Sequence, residues 1–265
     1  MRRPVPLHWY LLLLLCLVGV HAAGQDPVTA PLPDSLTRDA GMVKRVDVTE
    51  IEIESSRKAR IHRHYVYTIL NQYGDGFSNI YTFYDKFHDL ESVSAVLYDA
   101  AGHVVKKIRK SDLLDRNIEG MGILMMDLRV KTYQFGYHNY PYTISYEEEI
   151  GINGLFGLPS QWVPQPENFV TVAGSRLVIH APADYPLEFR NYHLPEPEQI
   201  TENKGVRTYS WELHARPVPA REPYAPAWFE REPRVSLAPG NFELEGYKGQ
   251  CYSWADLGRF VGGLH

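Results

Sequence analysis

The sequence predicts an all-β protein: an antiparallel β-sandwich, followed by an extended linker and a truncated C-terminal helix. Three observations carry the prediction. Apolar residues recur with period two through most of the chain, the pattern of half-buried strands. Turn signals interrupt the runs at Asp75-Gly76, Ala101-Gly102, Asn153-Gly154, Ala173-Gly174 and Lys204-Gly205. The 18 Tyr and 10 Phe suit pleated surfaces, and no long helical pattern intervenes.

Residues 1–22 read as a signal peptide. Arg2 and Arg3 supply its basic start, and the apolar run Tyr10–Val20 is too short to cross a bilayer comfortably. Val20-His21-Ala22 offers a cleavage site after Ala22. Lipidation at Cys16 is the alternative, although Leu15 stands where such signals take Gly, Ala or Ser. The expected product is exported, periplasmic or extracellular, with no membrane span in the mature chain. Residues 23–40, Pro-rich and polar, read as a flexible lead.

The sandwich is expected over residues 41–215. In "VDVTEIEIE", Val46 and Val48 share one phase and Ile51 and Ile53 the other, which predicts a bulge near Thr49-Glu50. After the turn "SSRKAR", Ile61, Tyr65, Tyr67 and Ile69 line one face of a second, antiparallel strand. Further strands follow in "FSNIYTFY", "LESVSAVLYD", "HVVKKIRK", "DLRVKTYQF", "YPYTISYEEEI", "SRLVIHAP", "PLEFRNY" and "GVRTYSWELHA". One helical turn is expected around Ser111–Leu114, and "NIEGMGILMMD", without a clean period, reads as a loop between sheets.

Residues 216–250, rich in Pro and charge, read as a linker laid along a partner domain through Tyr224, Trp228 and Phe229. Residues 251–265 read as the start of a connector helix. Ser253 is its N-cap, Asp256 sits in the first turn, and Trp254, Leu257 and Val261 recur at helical spacing. So short a helix is marginal alone and needs an apolar neighbour, which makes Trp254 a fourth candidate docking contact.

Cleavage after Ala22 removes Arg2 and Arg3 and no acid, taking the net charge from −5 to −7. That balance argues against nucleic acid as a partner. The basic cluster Lys106-Lys107-Ile108-Arg109-Lys110 fits a strand edge or exposed face, where charge discourages edge-to-edge pairing. Cys251 is the single cysteine left after cleavage, so no internal disulfide is available and a core must hold the fold.

Four groups of residues bear on chemistry. Cys251 precedes a helix start, as a nucleophile would, but only Asp256 and the terminal His265 follow it as acid–base partners, so no catalytic residue is assigned. His62 and His64 share a strand face at a spacing that suits a metal, yet no third ligand stands out. The pair fits a wet face equally well, and neither a metal nor a cofactor is assigned. Glu147 and Glu149 fall on one side of a strand and Glu148 on the other; carboxylate chemistry and a solvated face both fit. Among Tyr65, Tyr67, Tyr81, Tyr84, Tyr133, Tyr137, Tyr140, Tyr142 and Tyr146, some could form a platform for a sugar or peptide, and some are core.

The segments "YTILNQYGDG", "VLYDAAGHVVKKIRKSDLLD", "MMDLRVKTYQF", "YPYTISYEEEI", "QWVPQ" and "SWADLGRF", in that order, form a resemblance running from about Val43 to the last residue. They resemble the N-terminal domain of unknown function that precedes a transglutaminase-like domain in exported proteins of Gram-negative bacteria. The resemblance implies a β-sandwich front domain and a helix leading into a papain-like core with Cys, His and Asp. The segment carrying that core's catalytic Cys has no counterpart here, and Cys251 lies ahead of the helix, so those roles are not transferred to it. The resemblance gives one expected function, a non-catalytic module that scaffolds or positions substrate for such a core, the core itself being missing from this chain; the aromatic residues give the alternative, a free-standing glycan- or peptide-binding module using surface aromatics. The first carries the expectation that the chain is a fragment.

Overall fold

Alternation of apolar with polar residues is realised as sixteen strands among the residues that the computed structural model describes: 26–117, 128–194, 199–220 and 222–263. The predicted signal peptide with Cys16, and all of "NIEGMGILMMD" except Asn117, lie outside them. In chain order the strands are β1 (Met42–Ile53), β2 (Lys58–Ile69), β3 (Ile80–Tyr84), β4 (His88–Tyr98), β5 (Val104–Arg109), β6 (Leu114–Asn117), β7 (Arg129–Tyr133) and β8 (Tyr142–Asn153). There follow β9 (Gln161–Trp162), β10 (Val170–Pro182), β11 (Leu187–Tyr192), β12 (Gln199–Asn203), β13 (Val206–Arg216), β14 (Arg234–Pro239), β15 (Asn241–Leu244) and β16 (Tyr247–Gln250). The fold is all-β, with several sheets and a few short helices, as predicted.

One large sheet runs β12-β13-β10-β1-β2-β8-β4-β5, and two three-stranded sheets, β11-β14-β9 and β3-β7-β6, contribute to the same core. Ile51, Ile61, Leu177 and Trp211 of the large sheet join Trp162, Val235 and Leu237 of the first small sheet and Ile80 of the second in one apolar cluster. Residues at alternate positions of strands such as β2, β4 and β8 face this cluster, which is why period two predicted the layers. Every pairing in the large sheet is antiparallel except β1 with β10. The chain leaves β8 and crosses residues 154–169 before returning beside β1 in the same direction. No short hairpin signal marks such a crossover.

Three local expectations are corrected. The register shift in β1 falls between Lys44 and Val46, not at Thr49-Glu50, so Lys44 and Asp47 come to the same face. Ala173-Gly174 makes no turn: Gly174 lies inside β10, near the Arg45 carbonyl, where the ladder between β1 and β10 is interrupted. The lead from residue 26 is packed down, with a helical turn α1 (Asp34–Thr37), Leu36 buried, and the Thr171 hydroxyl donating to the Leu36 carbonyl at 2.7 Å.

Residues 216–250 differ from a plain linker. A short helix α2 (Trp228–Arg231) is followed by β14, which joins β11 and β9, and by the hairpin β15–β16. The reason is the alternation hidden behind the prolines: Val235, Leu237 and Phe242 are buried at 0%, 6% and 1% exposure. The C-terminal helix α3 (Trp254–Gly262) begins as predicted, the Ser253 hydroxyl accepting from the Asp256 amide. Part of its apolar neighbour lies within this chain. Phe260 meets Phe242 edge-on at 4.8 Å between ring centres, over Gly249 of β16.

Candidate functional site

A cavity of about 420 Å³ lies between the inner face of β1, β2 and β8 and the segments carrying residues 76–81 and 159–163. Its wall holds Lys44, Asp47 and Arg63, and charged groups on this inner face fall in phases otherwise apolar. In β2, Arg63 takes the position between Ile61 and Tyr65; in β8, Glu148 takes the position between Tyr146 and Ile150. They face each other in register and pair, Arg63 Nη1 donating to Glu148 Oε1 at 2.5 Å. The second pair, Lys44 Nζ to Asp47 Oδ2 at 2.6 Å, is nearly closed to solvent, its side chains 7% and 8% exposed. Both pairs depend on backbone geometry: direct cross-strand register for one, the β1 bulge for the other.

Buried charge is costly unless every lone pair is used. Here the acceptors are used. Asp47 also takes the Ser175 hydroxyl at 3.0 Å and the Tyr67 hydroxyl, and Glu148 takes the Tyr146 hydroxyl at 2.6 Å. Burial, then the Glu148 charge, pushes the Tyr65 and Tyr146 hydroxyls far above the ordinary range for tyrosine, so both stay protonated. Burial would lower the Arg63 guanidinium, but Glu148 and its tyrosine neighbours raise it, so it stays charged. Tyr65 stacks with its strand neighbour Tyr67 (4.9 Å) and with its cross-strand neighbour Tyr146 (4.7 Å), so the three rings pack on one another.

The remaining sequence candidates are dispersed. Tyr81, half exposed, stands at the cavity wall. Tyr84 donates to Asp115 at 2.6 Å beside Arg129 and Lys131, and Tyr133 packs on Phe135. Tyr140 and Tyr142 donate to Asp75 at 2.6 and 3.1 Å, with His138 on the same carboxylate and Tyr137 edge-on to Tyr142. Hydrogen bonding to Asp75 pushes the Tyr140 hydroxyl up to about 12. His62 pairs with Glu147 at 3.0 Å and Arg60 with Glu149 at 3.3 Å on the outer face, with His64 opposite Glu147 in register. Glu148 alone of the three points inward, as alternation predicts. Among the described residues no cluster of three His, Cys, Asp or Glu is placed to hold a metal. Cys251 is half buried beside the main core, its amide donating to the Gly240 carbonyl at 3.0 Å.

The four docking candidates also separate. Trp228 is engaged, its indole N–H donating to the Gln165 carbonyl at 3.0 Å and Arg231 lying over its ring. Tyr224, Phe229 and Trp254 are exposed. Sequence reasoning missed Lys44, Asp47 and Arg63. The signal for Arg63 was legible, a charge inside the phase Ile61, Tyr65, Tyr67, Ile69; those for Lys44 and Asp47 were hidden by the bulge.

Residues 55–220, well over half of the chain, match the family described as a domain of unknown function with solved structure, DUF3857. The chain belongs to the DUF3857 family. Among solved structures this DUF3857 chain is similar to a Parabacteroides distasonis protein provisionally described as a protease, with a TM-score of 0.62 at 15% identity over 74% of this chain. The chain spans 40% of the length of that protein, and the likeness shows the fold alone. An M1 zinc metallopeptidase from Deinococcus radiodurans matches at 10% identity over 80% of this chain and 46% of its own, with a TM-score of 0.31, too low to carry an argument. No curated protein matches the chain.

Proposed function

We propose that this DUF3857 domain is a non-catalytic, exported scaffold that accompanies a transglutaminase-like core and positions that core or its substrate. One observation carries the reading. Helix α3 is anchored through Phe260, while another flank presents Trp254 at 88% exposure and Val261 at 50%, one helical stripe with Leu257 between. A soluble domain gains nothing by leaving a tryptophan in water, and anchors of this kind are enriched where proteins meet. The shared fold with a longer chain supports the same reading.

The test is amide hydrogen exchange over residues 254–262, measured on this chain alone and on the same chain joined to, or mixed with, a transglutaminase-like core from the same gene or operon. Protection of α3 only when the core is present supports scaffolding. Unchanged exchange, with no complex formed, defeats it.

A further inference from the structure

The cavity between the layers shows a mismatch of hydrogen-bonding capacity. On the acceptor side, Asp47 receives Lys44, Ser175 and Tyr67, and Glu148 receives Arg63 and Tyr146. On the donor side, among the described residues, Arg63 commits one of its five N–H groups to a hydrogen bond and Lys44 one of its three. Trp162, which lines the same cavity and is 7% exposed, has an indole N–H that is itself closed to solvent and has no partner among the described residues. Native proteins rarely leave buried donors unmet. The surplus is all of one kind: donors, two of them on cations.

A complementary occupant is an acceptor carrying negative charge. Arg63, whose side chain is 30% exposed, presents the planar fork that grips a carboxylate. The rest of the lining is largely apolar: Ile144 and Leu177 on the same sheet, and Phe77 and Leu237 from outside it. Inorganic phosphate would waste that apolar lining, and a bare sugar would leave the cations without an anion. The volume fits a small molecule. We propose that this cavity binds a carboxylate attached to a compact apolar body, the chemistry of a peptide's C-terminal residue, with Arg63 and Lys44 as its cationic contacts and Trp162 as a neutral donor. This goes beyond the scaffolding reading and does not depend on it.

The test is isothermal titration of the purified chain with N-acetylleucine, N-acetylleucine amide and inorganic phosphate. The acid should bind saturably and the amide about tenfold more weakly or worse, because the amide forfeits a charge-assisted pair. Trp162→Phe, which keeps an aromatic ring though a smaller one and removes the N–H, should weaken the acid about threefold to tenfold, and Arg63→Gln by more. Equal binding of acid and amide, binding of phosphate as tight as the acid, or no binding of the acid would each overturn the proposal. The acid–amide contrast is read on the unaltered chain, so it holds even where Arg63→Gln disturbs folding.

Discussion

Arg63 and Glu148 are cross-strand neighbours in direct register, joined at 2.5 Å, with the Glu148 side chain 2% exposed and that of Arg63 30% exposed. Glu148→Gln leaves a guanidinium without its counter-ion in a half-closed cavity and should cost about 2–3 kcal/mol, the lower end for a buried pair because Arg63 reaches solvent. Replacing both partners by methionine should cost much less, since no charge is stranded. Urea unfolding of the two variants decides. A double variant as unstable as the single one would rule out stranded charge as the cause.

Asp115 accepts from Tyr84, Lys131 and Arg129, and these bonds, Tyr84 first, lower its carboxyl from the ordinary 3.8 to about 2. A carboxylate held below its unfolded value stabilises the fold above about pH 4, and that contribution is lost as pH falls toward 2. Asp75 and Asp85 shift the same way: burial opposes them, and hydrogen bonds from Tyr140 and Tyr142, or from His88, prevail. Stability by urea titration should therefore fall through this acid window, and Asp115→Asn should flatten the slope. Superimposable slopes would refute the assignment.

Gly249 sits under the contact that seats α3. A Cβ there would collide with Phe242 and come within 2.8 Å of Phe260. Gly249→Ala should displace Phe260 and raise amide exchange across 254–262, while the sandwich core keeps its protection. Unaltered exchange in α3 would mean that the ring contact does not hold the helix.

The all-β class, most strands and the α3 cap were legible because each is a local signal: period two, or a Ser three residues ahead of an Asp. The parallel pairing of β1 with β10 was not, because it is set by a crossover rather than by any turn. The 216–250 segment misled because proline and charge dominate its composition while Val235, Leu237 and Phe242 still alternate inward. Near the cavity, alternation set Glu148 on the side opposite Glu147 and Glu149 without saying which side is buried, and Lys44 and Asp47 stayed hidden. Their shared face depends on one extra residue at Arg45, and a bulge shifts phase without changing composition. Five of the nine tyrosines named as a platform serve four different carboxylates, Asp47, Asp75, Asp115 and Glu148, a division only tertiary contacts reveal.

Trp254 and Phe260 lie on the same helix but should answer differently to truncation. Phe260 packs on Phe242 and Phe156, so Phe260→Ala removes partly buried ring area and should cost about 1–2 kcal/mol locally, read as faster exchange in α3. Trp254, at 88% exposure, supports nothing in the isolated chain, and Trp254→Ala should change stability by less than about 0.5 kcal/mol. Against a docked core the order reverses: an exposed tryptophan is the residue type that anchors interfaces, and its loss should weaken association about thirtyfold or more. Urea unfolding of both variants, beside sedimentation of each with the core, separates the roles. A Trp254→Ala variant that associates normally would remove the observation on which the scaffolding proposal stands.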